Sequence, residues 1–162
     1  MFKNILVPID GSDSSVEAAK IGASLAAMNS GKLTLLNVVR LVQYGLEGAP
    51  TPEPAAAKAA VKSSHAMLGF ISQEIGSSQA NIIVATGHPA QTICEQAKEG
   101  NFDLVVMGNR GLGGLRGSLI GSVSQKVSEM IHCPVLLCRL PKGVIEEHKI
   151  IKALPHDSVI YD

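Results

Sequence analysis

Aromatic side chains are scarce in this chain of 162 residues: there is no Trp, and two Tyr and three Phe make up 3%. A platform that stacks successive bases of a nucleic acid needs aromatic faces, so that function is disfavoured. Net charge is also missing. The 14 Lys and Arg are offset by 14 Asp and Glu, whereas a binder of polyphosphate backbones carries a basic excess. Nucleic acid is therefore not an expected partner, and an anionic ligand must be held locally by a few groups. Cysteine is sparse and odd in number (Cys94, Cys133 and Cys138), which fits a reducing compartment. Cys133 and Cys138 lie five residues apart in what reads as one strand, hence on opposite faces, and cannot bond to each other there. The simplest role for all three is that of small core residues. Long hydrophobic runs are absent as well. No stretch approaches the ~18 residues of a membrane span. Lys3 leads straight into Ile5-Leu6-Val7-Pro8-Ile9-Asp10, too short for the apolar part of a signal peptide. A cytoplasmic protein with no membrane partner is the expectation.

Hydrophobic residues account for 46% of the chain and charged ones for 17%, which excludes a disordered chain. The length suits one domain, and a domain of roughly 150 residues buries about 70% of its unfolded surface without disulfide or metal staples.

Short β-branched runs alternate with longer helical patterns. Strands are expected over Asn4–Ile9, Lys32–Val39, Asn81–Thr86, Asp103–Met107 and Pro134–Arg139. Helices are expected over Asp13–Asn29, Ala55–Ile75, Pro89–Glu99 and Gly121–Ile131. In the first helix Val16, Ala19, Ala23 and Ala26 share a face, Ser14 and Glu17 fit a capping box, and Gly31 suits the left-handed position past the end. Pro89 suits a first helical turn. Strands with almost no polar alternation, separated by helices, imply a parallel sheet covered on both faces. The expected fold is α/β: one open, doubly wound, Rossmann-like five-stranded parallel sheet, with 3-2-1-4-5 as one arrangement that right-handed crossovers allow. Residues 1–140 form the domain. Gly45–Pro54, with three prolines, reads as a mobile loop. Residues 141–162 are too apolar for a solvated tail and are expected to pack on the body or on a second subunit.

Glycine is abundant, 16 in all, and clusters between residues 108 and 122. This segment joins a buried strand to an amphipathic helix, where open parallel sheets bind ligands. Glycines let backbone N–H groups approach phosphate oxygens without Cβ clashes. The helix beginning near Gly121 offers unpaired N–H groups and the positive end of its dipole. Ser122 and Ser124 add hydroxyls, and Arg110 and Arg116 add charge, although Arg116 reads equally as a solvated loop residue. A phosphate-bearing ligand is the expectation. No Lys precedes Ser122, so this is not a Walker A loop. A dinucleotide fingerprint beginning at Gly111 would need glycine where Arg116 stands.

The spacing Gly108-x2-Gly111-x9-Gly121-Ser122 resembles the ATP-binding motif of the universal stress protein family. The resemblance extends to Ile5-Leu6-Val7-Pro8-Ile9-Asp10-Gly11-Ser12, Leu35-Leu36-Asn37-Val38, Gly87-His88-Pro89, Asp103–Gly108 and Cys133-Pro134-Val135-Leu136, spanning about residues 2–140. It implies the ATP-binding branch of that family, a fold that usually dimerises through its last strand, and a regulatory or stress-response role involving a further protein partner. By position, it implies that Pro8, Ile9 and Asp10 face adenine and ribose and that the Val38 backbone reads the adenine edge. It likewise implies that Met107 and Gly108 close over the ribose, and that Gly111, Gly121, Ser122 and Val123 surround the phosphates. Arg110 and Ser124 join them, and Mg²⁺ is held mainly through the phosphates near Asp10 or Asp13. The cofactor is thus ATP, with ADP and AMP sharing the adenosine contacts.

No catalytic set stands out. His65, His88, His132, His148 and His156 pair with no partner at metal-ligand spacing. Asp10 and Asp13 with Ser12–Ser15 superficially resemble the phosphate loop of adenylating pyrophosphatases but lack its two glycines. No Gly-x-Ser-x-Gly elbow occurs. Slow or absent hydrolysis is expected. The alternatives are a weak ATPase or autophosphorylating enzyme, and a nucleotide-free dimeric interaction module.

Overall fold

The computed structural model describes residues 1–40, 54–112 and 120–140. Residues 45–53 of the Pro-rich loop, Arg116 and the 141–162 tail lie outside the described residues, and Pro54, expected in that loop, opens a helix instead. The elements run β1 (Asn4–Pro8), α1 (Asp13–Met28), β2 (Lys32–Val39), α2 (Pro54–Glu74), β3 (Asn81–Thr86), α3 (Pro89–Glu99), β4 (Leu104–Gly108), α4 (Ser122–Met130) and β5 (Val135–Cys138). All strands are parallel, in the order β3-β2-β1-β4-β5.

The apolar runs decide this arrangement. Ile5, Leu6 and Val7 are fully buried, which requires cover on both faces of β1. Side chains alternate across a strand, so the run feeds two cores. Ile5 and Val7, with Leu33, Leu35 and Val106, pack under α1 and α2. Leu6, with Leu36, Val105 and Met107, packs with Ile93 of α3 and Val127 of α4. The buried face of α1 consists of small residues, among them Ser14, Ser15, Ala18, Ala19 and Gly22, and the helix therefore lies close on the sheet. At the opposite end, the Asp103 carboxylate accepts the backbone N–H groups of Lys3 at 2.7 Å and Asn4 at 3.1 Å, tying β4 to β1.

Both expected ends of α1 need correction. The N-cap is Ser12, whose hydroxyl oxygen accepts the Ser15 N–H at 3.3 Å, so Ser14 and Glu17 form no capping box. Asp13 is the first helical residue. Beyond the helix, Ser30 rather than Gly31 takes the left-handed conformation, with φ of 49°. The Gly31 N–H closes the turn on the Ala26 carbonyl at 2.8 Å, and a Cβ there would stand 2.9 Å from the Lys3 carbonyl oxygen. Glycine at 31 answers the close passage of the N-terminal segment, which local spacing does not report.

The three cysteines are free thiols. Cys138 ends β5 and is buried, but Cys133 precedes that strand and only half joins the second core. Burial pushes the Cys138 thiol up from its ordinary 9.0 to about 11, with the nearby Glu17 carboxylate contributing.

Candidate functional site

The chain runs from β1 to β2 on one side of the sheet and from β4 to β5 on the other, so a crevice opens between the carboxyl ends of β1 and β4. The two loops leaving these strands meet there. Pro8 pairs with Leu36, and Ile9 continues the ladder by donating its N–H to the Leu36 carbonyl at 2.7 Å. Asn37 donates its side-chain amide to the Ile9 carbonyl, also at 2.7 Å. Pro8 and Ile9 are thus buried and fixed, and Asp10 is the first exposed residue after the strand.

Asp10 acts as a clasp between the loops. One carboxylate oxygen accepts the Ser12 N–H at 3.0 Å and the Ser12 hydroxyl at 2.6 Å; the other accepts the Leu112 N–H at 3.2 Å. Gly111 lies directly against this carboxylate, and a Cβ there would come within 2.4 Å of it. A similar constraint holds at Gly108, where a Cβ would stand 2.9 Å from the backbone of both Ser14 and Ser15. The end of β4 therefore presses on the first turn of α1, and glycine at 108 is required by the fold before any ligand is considered, whereas a Cβ at 111 would displace only the Asp10 carboxylate.

Gly121 is different. Its φ is −73°, open to any residue, and a Cβ would meet nothing nearer than the Arg110 Cα and Asn109 carbonyl oxygen, at 3.4 Å. Among the described residues, nothing demands glycine here. As N-cap of α4 it offers no side chain, so the cap residue itself leaves the first N–H groups of that helix open. Its own N–H is held by the Asn109 carbonyl at 2.6 Å. By contrast, Ser12 caps α1, and α3 opens with Pro89, which has no N–H to leave open.

Around this helix start, Ser122 is exposed and Val123 half-buried against the second core. Ser124 is buried and donates its hydroxyl to the Gly108 carbonyl at 2.9 Å, which ties α4 to β4. Arg110 is half-buried, and its Nε is enclosed without a hydrogen-bond partner. Val38 and Met107 belong to the same core face, Met107 buried and Val38 half-exposed near the strand ends. The crevice thus brings together Pro8, Asp10, Met107, Gly108, Arg110, Gly111, Gly121, Ser122, Val123 and Ser124, whereas the Ile9 side chain packs into the first core, on the face opposite Met107 and Val38. Val38 joins it from β2, and the Asn37, Ser12 and Ser14 side chains are additions. Ser14 is 1% exposed and donates its hydroxyl to the Arg110 carbonyl at 2.5 Å.

Asp10 is the candidate metal ligand, but among the described residues no group of three His, Cys, Asp or Glu could hold a metal ion. A cation bound here would need oxygens from the ligand itself. At the amino ends of β2 and β3, a cleft of about 390 Å³ lies beside α1, lined by Ala23, Ala26, Lys32 and Gln79 among others. Its lining brings no carboxylate or hydroxyl cluster together, in contrast to the crevice at the carboxyl ends.

The universal stress protein family model matches residues 1–139. The chain belongs to that family. Universal stress protein YxiE of Bacillus subtilis is 35% identical over 162 aligned positions, which cover 86% of this chain and 100% of that protein. Among solved structures, universal stress protein UspA from Lactobacillus plantarum superposes with a TM-score of 0.75 at 26% identity, covering 85% of this chain and 98% of that one. A universal stress protein crystallised in complex with cAMP superposes with a TM-score of 0.62 at 27% identity, covering 85% and 97%. As in other universal stress proteins, the five-stranded α/β sheet is the frame. Among the described residues no helix is long and apolar enough to cross a membrane.

Proposed function

We propose that this universal stress protein binds an adenine nucleotide, ATP in the first instance, across the ends of β1 and β4 and acts as a nucleotide-dependent regulator. The observation that carries the reading is Gly121. Among the described residues nothing requires glycine there, yet a glycine N-cap offers no side chain to the start of α4, beside a half-buried arginine with an unpartnered Nε. A phosphate group supplies what both lack: acceptors for the helix N–H groups and for the guanidinium. The nucleotide complex among related structures supports the same ligand class.

In this reading Pro8, Val38 and Met107 flank the adenosine, and the Asp10 carboxylate accepts from ribose hydroxyls. Gly108 and Gly111 bring the backbone close. Gly121, Ser122, Val123 and Arg110 take the phosphates, while Ser124 fixes the helix that offers them. Mg²⁺, bound through phosphate oxygens, would neutralise phosphate charge; Asp10 is the nearest carboxylate. Hydrolysis is slow or absent, because the Asp10 carboxylate is already engaged in three hydrogen bonds that hold the two loops together.

Two broader features complete the reading. The chain forms a homodimer through β5, an edge strand with Leu136 40% exposed. It resides in the cytoplasm, where its free thiols stay reduced. Replacing Gly121 by Val tests the nucleotide site. The variant should fold, since the protein leaves ordinary room for a Cβ, but lose at least about tenfold in ATP affinity as the side chain blocks phosphate approach. Wild-type affinity in a folded variant would remove the site from Gly121.

A further inference from the structure

The loop after β4 is held to the body by main-chain bonds at Asn109, which donates to the Cys138 carbonyl at 2.8 Å, and by the Asp10 contact with Leu112. Between these two points lies Arg110, and its carbonyl is held by a side chain from a different element. The Ser14 hydroxyl, on the first turn of α1 and almost fully buried, donates to it at 2.5 Å. The other hydroxyl within reach is that of Ser12, at 3.4 Å, and it already donates to Asp10 at 2.6 Å. Ser14 is therefore the main donor to that carbonyl.

The peptide that Ser14 holds is also the one that sets the arginine. The Arg110 Cα lies 3.4 Å from where a Gly121 Cβ would stand, so this residue leans on the open N-terminus of α4. Ser14 serves neither as the cap of α1 nor in the sheet; its hydroxyl proton goes to the Arg110 carbonyl while that of Ser12 goes to Asp10, so the two hydroxyls, 3.3 Å apart, make separate links between the loops. A buried carbonyl deprived of its donor is costly, and the peptide turns to find another.

We propose that Ser14 is a positioning residue for the phosphate end of the site: by holding the Arg110 carbonyl it fixes the arginine beside the start of α4 and so selects phosphorylated nucleotides over the bare nucleoside. This rests on the nucleotide reading above. Ser14 touches no ligand in this account, and the adenosine-facing groups on β1 and β2 do not depend on it.

The test compares adenosine and ATP binding by the full chain and its Ser14→Ala variant, by competition in ligand-observed NMR, with thermal unfolding to confirm folding. The expected result is a loss of about tenfold for ATP with adenosine affinity within about twofold of wild type. A double-mutant cycle with Arg110→Ala should show no further ATP loss from Ser14→Ala, since one acts through the other. Equal losses for adenosine and ATP, an unchanged ATP affinity, or additive losses in the cycle would each overturn the proposal. Should Ser14→Ala fail to fold, Ser14→Cys keeps a similar volume with a weaker donor, and the same ATP-selective loss is expected. A wild-type chain that binds neither ligand would overturn the nucleotide reading itself, and this proposal with it.

Discussion

At the scale of single residues, the glycines of the 108–122 segment divide by cause. Gly108 is dictated by packing against the Ser14 and Ser15 backbone, a Cβ at Gly111 would displace only the Asp10 carboxylate, and among the described residues nothing dictates Gly121. A sequence motif treats all three alike, because spacing records where glycine stands and not what a Cβ would strike. The consequence is measurable. Gly108→Ala forces a methyl to within 2.9 Å of the α1 backbone, which cannot retreat as a side-chain tip can. It should lower stability by about 2–3 kcal/mol in denaturant unfolding. A neutral Gly108→Ala would mean that β4 and α1 are less tightly seated than described. The location of Asp10 and Arg110 was legible from their place beside strand ends. Ser14 was not: its three-residue spacing to Glu17 matches a capping box, and only tertiary contact with Arg110 shows its hydroxyl in use elsewhere.

At the scale of elements, strand and helix identity was legible almost throughout, because buried β-branched runs and 3.6-residue patterns differ in period. The ends were less so. β1 ends at Pro8 rather than Ile9 and β5 covers Val135–Cys138 rather than Pro134–Arg139, though Ile9 still bonds to β2. Terminal residues answer to the neighbouring loop as much as to their own type. β5 carries a pH dependence of its own. Cys138 packs in the core that lies under α1, and its thiol is raised to about 11 by burial first and by Glu17 second. A raised folded-state value means that the native protein holds the proton more tightly than the unfolded chain. Its contribution to stability is thus complete below about 9.0 and is lost as pH rises towards about 11. Unfolding followed from pH 8 to 11 should show stability falling over that window. Cys138→Val should flatten the fall; an unchanged slope would place its cause elsewhere. The same raised value predicts slow alkylation of Cys138 at neutral pH, since the thiolate is the nucleophile.

At the scale of the whole molecule, alternating strands and helices with right-handed crossovers allowed 3-2-1-4-5 as one arrangement without fixing it, and the structure has that order. Two packed faces and the reversal between β1 and β4 then place the crevice without reference to any motif. What the local patterns did not convey is how the two loops at that crevice are joined, through Asp10, Ser12, Ser14 and Arg110, since these bonds span about a hundred positions, as in the pair Asp10–Leu112 with a separation of 102. Assembly is the remaining property at this scale. An edge strand with Leu136 exposed invites pairing of β5 with a second copy. Light scattering should find a dimer, and Leu136→Arg should shift it towards monomer with the fold retained; a wild-type monomer at high concentration would refute the dimer.

The central claim is that the crevice holds an adenine nucleotide. The most direct measurement is to denature freshly purified protein, identify any released nucleotide by mass spectrometry, and follow thermal unfolding of the nucleotide-free protein with added Mg-ATP. The account predicts an adenine nucleotide approaching one per chain, or a stabilisation of about 2.7 kcal/mol at a hundred times Kd. No released nucleotide together with no thermal shift from ATP, ADP, AMP or cAMP would contradict it and leave the crevice to a protein-interaction role.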